Sequence, residues 1–114
     1  MPKFLTIGYG DQAGYDRTPS VLRDAAHAHD DRLRKAGAVM GIAGRPVQVR
    51  NTECAGVETA EEPFMTAALP VAGFALIEAA DLDEAIALVA QTPCAVAHGV
   101  VEVWPMEEGG LPRP

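Results

Sequence analysis

Basic residues are scarce in this chain: nine Lys and Arg stand against sixteen Asp and Glu, and the 114 residues carry a net charge of −7. Binding to a phosphate backbone depends on clustered cations, so DNA and RNA drop out as default partners. No apolar run reaches the roughly 18 residues that a membrane-crossing helix needs, and no membrane partner is expected. The amino terminus, Met1-Pro2-Lys3-Phe4, lacks the charged, apolar and cleavage regions of a signal peptide. A cytoplasmic protein is the expectation. Cysteines number only two, Cys54 and Cys94, neither in a CxxC spacing, and they read as reduced thiols. Cys94 has no adjacent base in sequence, which argues against a catalytic thiol. Gly8-Tyr9-Gly10 lacks the GxGxxG spacing of a dinucleotide site. No cofactor is expected.

The hydrophobic content of 48% suffices for one domain, over residues 1–106, able to bury about two-thirds of its unfolded surface. Residues 107–114 hold two glycines and two prolines and read as a flexible tail. The stretch from Glu61 to Trp104 organises the rest. Ala72-Gly73-Phe74-Ala75-Leu76-Ile77 is apolar on both faces, the pattern of a strand covered on two sides. Asp81 stands at a helix N-cap with Glu84 as its capping-box partner, and Leu82, Ala85, Ile86 and Val89 follow at helical spacing. That helix is expected to stop at Thr92, before Pro93, with a short loop after it. Val100-Val101-Glu102-Val103-Trp104 then forms a closing strand that Pro105 ends.

Upstream, Lys3 to Tyr9 reads as a first strand, again apolar on both faces, and Asp11 to Arg17 as a polar loop. Thr18-Pro19 opens a helix running to about Ala36, where Gly37 stops it. Its apolar stripe is Leu22, Ala26, His29, Leu33 and Ala36, which turns His29 inward. His27 lies on another face, three or four residues from Asp24, Asp30 and Asp31. Ala38 to Ala43 is a second strand. Val47 to Arg50 and Gly56 to Thr59 pair as a short accessory hairpin around Asn51-Thr52-Glu53. Ala60 to Val71 is a surface connector.

The order is the α+β, ferredoxin-like βαββαβ arrangement. In it the strands at 3–9 and 72–78 are central, and both helices cover one face. The other face then shows Phe, Leu and Ile to water, the mark of an interface. A homodimer with sheets packed face to face is predicted.

The Pro63-Phe64 connector with Gly73-Phe74 after it, Asp81-Leu82-Asp83-Glu84-Ala85 at the second helix, and Thr92-Pro93 before Gly99-Val100-Val101-Glu102-Val103 resemble the YCII-related proteins, in particular the DGPF branch. The resemblance covers residues 3–106 and implies a dimeric α+β barrel. Most of the family is uncharacterised. A His-Asp pair has been proposed as catalytic in YCII-like proteins, and one relative is a dehydrochlorinase in chlorinated-aromatic breakdown. The branch-naming residues here read Glu61-Glu62-Pro63-Phe64, with Thr66 and Ala68 where an acid and a lysine are usual. The family's helix histidine corresponds to either His27 or His29.

The expected function is cofactor-independent acid-base chemistry, an elimination or isomerisation on a small organic acid. His29, or His27 with Asp31, would carry the proton. Tyr9, Phe64 and His98 are the substrate-binding candidates, Tyr9 and Tyr15 as hydroxyl donors and His98 as a loop residue. No metal is expected, because His27 and His29 point about 200° apart on a helix and cannot ligate from one face. A non-catalytic small-molecule-binding or regulatory dimer is the alternative.

Overall fold

The computed structural model describes residues 1–107. Along the chain, β1 (Lys3–Tyr9) leads to α1 (Gln12–Arg17), α2 (Ser20–Lys35), β2 (Val39–Ile42), β3 (Gln48–Arg50) and β4 (Glu58–Ala60). Then come β5 (Val71–Glu78), α3 (Leu82–Val89), α4 (Pro93–Val96) and β6 (Val100–Pro105). This is a mixed α+β architecture. Four strands form an antiparallel sheet in the order β2-β5-β1-β6, and β3 and β4 form a separate hairpin. The central pair is therefore β1 and β5, the two strands whose sequences are apolar on both sides. No helix among the described residues is long and apolar enough to cross a membrane.

Register sorts the side chains into faces, because successive residues of a strand point to opposite sides. Phe4 pairs with Ile77 and Thr6 with Ala75 on one face, while Leu5 pairs with Leu76 and Ile7 with Phe74 on the other. The first face is the helix-covered one. There Phe4 and Ile77 pack with Ala79, and with Ala85 and Val89 of α3, into the buried core. His29 on α2 meets the Leu88 carbonyl of α3 through Nε2 at 2.6 Å, which ties the two helices together. On the second face Leu5, Phe74 and Trp104 are 38%, 45% and 53% exposed.

Helix α2 buries Ala26, His29 and Leu33, the middle of its expected stripe. Leu22, near the start, and Ala36, the C-cap, are exposed. The start differs from expectation: Ser20 is the first helical residue, and Thr18 is buried with its hydroxyl donating to the Gly14 carbonyl at 2.9 Å. Asp11 to Arg17 is not a loop. Asp11 accepts the Gly14 N–H at 2.8 Å and caps a helix of six residues, a local bond that outweighs the low helix propensity of Gly14. Glycine is needed there, since a Cβ would stand 2.7 Å from the Ala97 carbonyl.

The second predicted helix also divides. Asp81 caps α3 as expected, taking the Glu84 N–H at 2.8 Å, while the Glu84 carboxylate accepts from Ala80 rather than from Asp81. Helix α3 ends at Val89, where the Thr92 hydroxyl donates to the Val89 carbonyl at 2.7 Å. Pro93, whose missing N–H costs nothing at a first turn, opens α4 in place of the expected loop. The hairpin joins Gln48 to Ala60 and Arg50 to Glu58, and the Asn51 side chain accepts the Gly56 N–H across its turn. Of the expected tail over 107–114, residues 108–114 lie outside the described residues.

Candidate functional site

Under α2 the helix-covered face is not filled. A cavity of about 600 Å³ opens between α2, the sheet and the α1 and α4 ends. Its floor is made of small residues, among them Thr6, Gly8, Gly73 and Ala75, so the sheet sends few atoms up toward the helix. The glycines also let neighbours approach. A Cβ on Gly73 would stand 2.7 Å from the Gly41 carbonyl, and one on Gly8 would stand 2.8 Å from the Cys94 Sγ. Leu33, Met40 and Val89 supply apolar lining, and the polar wall carries Tyr15, His27, Asp30 and Arg34. An apolar chamber with a few convergent polar groups is the usual form of a small-molecule site.

Helix α1 delivers Tyr15 to this wall, where its hydroxyl lies 2.9 Å from the His27 Nε2. The Arg23 guanidinium covers the Tyr15 ring, 4.8 Å from its centre. Arg23 and His27, one helical turn apart on α2, thus hold the tyrosine from two sides. Burial pushes the Asp30 carboxyl above its ordinary range, against the attraction of Arg34, His27 and His29. Burial also raises the Cys94 thiol, and the charge of Asp30 adds to the effect, so the cavity holds a protonated thiol and not a thiolate nucleophile.

The residues picked from sequence are dispersed. His27 is at the cavity; His29 is buried and engaged with the Leu88 carbonyl. Asp31 is turned outward and paired with Arg34 at 3.1 Å, so the acid that accompanies His27 to the cavity is Asp30. His98 is exposed, with a left-handed φ of 64°, between α4 and β6. Phe64 is 77% exposed on the connector, 5.8 Å from the Arg50 guanidinium, and lines neither of the two cavities described here. Tyr9 faces away from His27. It borders a second cavity, of about 470 Å³, on the open face of the sheet, where its hydroxyl donates to the Glu102 carboxylate. That bond, with burial and the negative charge adding to it, holds the phenol above its ordinary range.

Asp30 and Glu102 are the two groups that sequence reasoning left aside in favour of neighbours. Asp30 is the i+3 partner of His27 and Asp31 the i+4 partner, and spacing alone gives both equal claim. Glu102 alternates with valines, the ordinary signature of a solvent-facing strand position.

No curated protein matches the chain. The family model of the YCII-related domain matches residues 3–108, from the first strand of the sheet to beyond the last, and the chain belongs to the YCII-related domain family.

Proposed function

We propose that the protein binds a small organic acid in the cavity beneath α2 and transfers a proton on it without a cofactor, His27 and Asp30 serving as the acid-base groups. The observation that carries this reading is the shared wall: His27, Asp30 and Tyr15 face one apolar chamber of about 600 Å³. Histidine is suited to giving and taking protons at physiological pH. Tyr15 holds the imidazole by its Nε2, and a carboxyl raised by burial is a better proton carrier than an ordinary one. Arg34 supplies a cation for the acid group of the ligand. In an elimination, one of these bases would take a proton from carbon while the leaving group departs with its electron pair; in an isomerisation, the proton would return to a different carbon.

The alternative, a binding protein without chemistry, is favoured by one observation. The hydrogen-bond partner of His27 is a tyrosine, and among the described residues no carboxylate bonds to the ring. One experiment separates the two: NMR titration of His27, His29 and His98 with a panel of small aromatic and chlorinated acids, followed over time. The enzyme reading expects an acid that moves His27, leaves His98 unaffected and is converted, with conversion lost in His27→Ala and Asp30→Asn. Saturable binding with no conversion supports the binding protein. Indifference of His27 to every acid overturns both.

We also propose that the sheet is a ferredoxin-like βαββαβ sheet of the DGPF branch, and that two copies pack their open faces into a dimeric α+β barrel. The strand order β2-β5-β1-β6 and the exposure of Leu5, Phe74 and Trp104 support this. Light scattering at micromolar concentration should return twice the chain mass of 12.0 kDa. A monomer would remove the dimer.

A further inference from the structure

The open face of the sheet carries a charge where its neighbours are apolar. Glu102 sits on β6 directly across from Ile7, which is only 6% exposed. Among the described residues it is the single charged one lining the second cavity, whose other walls come from Tyr9, Val100 and connector residues such as Met65, Ala68 and Leu69. One carboxylate oxygen accepts a hydrogen bond from the Tyr9 hydroxyl, and the other has no protein donor among the described residues. Tyr9 also reaches the Met65 sulfur, at 4.0 Å, which draws the connector against the mouth of the cavity. Lys3, a cation on this face, is four residues from Ile7, about 13 Å along the strand, and is paired with Glu78 at 3.9 Å. Among the described residues Glu102 therefore has a hydrogen bond and no ion pair.

A carboxylate drawn into an apolar recess is stabilised when a cation meets it. We propose that this second cavity is a binding site for a protonated amine with an apolar body, its ammonium bonded to the free oxygen of Glu102 and its body lying against Met65, Leu69 and Val100. A single carboxylate is too sparse a donor set for a divalent metal, which takes several oxygen ligands. A neutral ligand would leave the charge unmet. The Tyr9 phenol, held above its ordinary range, remains a donor to the carboxylate and keeps it oriented toward the cavity. The site is on the opposite face of the sheet from His27, at the Tyr9 end against the connector, and its lining leaves out the exposed Leu5, Phe74 and Trp104 that the proposed dimer would cover, so it stands or falls separately from the chemistry beneath α2.

The test is a titration of the full chain, uniformly labelled with nitrogen-15, with phenethylammonium, and in parallel with phenylacetate and phenethyl alcohol. The proposal expects saturable amide shifts at Leu69, Val100 and Glu102 with the ammonium alone. Glu102→Gln, which keeps the acceptor for Tyr9 but removes the charge, should weaken binding about tenfold or more. Ala68→Leu, an exposed change that narrows the cavity, should also weaken it. Absence of saturable binding, equal binding of the alcohol, an unchanged affinity in both variants, or shifts confined to the His27 cavity would each overturn it.

Discussion

Two ends of one sheet face follow opposite plans. At the Phe4 and Ile77 end, large side chains stand on the sheet and small ones, Ala79 and Ala85, come down to meet them, both with no exposed surface. At the other end the sheet presents Gly8, Gly73 and Ala75, and α2 faces them across an open cavity. The first end concentrates the dispersion and burial that stabilise a domain. The second gives up that contribution and leaves room for a ligand beside Asp30 and His27. Stability and binding are thus weighted toward opposite ends of the same two strands, with Ala75, Ile77 and Val89 shared where core and cavity meet.

The largest test of that division is Phe4→Ala. Removing a buried aromatic from the packed end should cost about 3–5 kcal/mol, read as a lower denaturation midpoint. At the hollow end Ala75→Leu has cavity space beside it, so its cost should fall toward the lower end of the about 1–3 kcal/mol of an added side chain, while binding of acids under α2 is lost. Comparable losses for the two would dissolve the contrast. Gly73→Ala sharpens it from another side: its Cβ meets backbone, not cavity, and separating β2 from β5 should cost about 1–3 kcal/mol.

The paired histidines extend the same comparison to α2. His29→Ala empties a buried position and removes the partner of a partly buried carbonyl, and should cost about 1–3 kcal/mol. His27→Ala, at an exposed position, should stay within about 0.5 kcal/mol and show its effect on the ligand instead. Thermal denaturation of the two variants checks this directly. The smallest effect concerns Asp30. Its folded carboxyl is raised, so the folded chain holds that proton more tightly than the unfolded one. Its contribution to stability therefore declines as pH rises from the ordinary carboxylate range through the raised value. Asp30→Asn should flatten that part of the stability profile and leave a slightly more stable protein at neutral pH.

Much of this fold is legible in the chain. The two-sided apolar runs mark β1 and β5 as central, and Asp81 with Glu84 marks the start of α3. Helix α1 is hidden by Gly14 and by a polar composition that reads as loop, although its cap, Asp11, is in plain view. That omission matters, because α1 is what carries Tyr15 to His27. Reading α3 straight through to Thr92 likewise misses α4, which brings Cys94 to the cavity.

Periodicity and capping chemistry determined the sheet strands, α2 and the start of α3, and turned His29 inward, since both are properties of residues near one another in sequence. Tertiary structure alone decided which acid accompanies His27. Asp30 and Asp31 are adjacent on α2, and the outcome depends on how the helix docks on the sheet, with a floor of small residues opening beneath Asp30 while Asp31 faces outward. The same holds for Glu102: alternation puts it on the open face, but only the return of the connector past Tyr9 makes that position a recess. Cavities are left between elements distant in sequence, and no local rule records the space that their packing fails to fill.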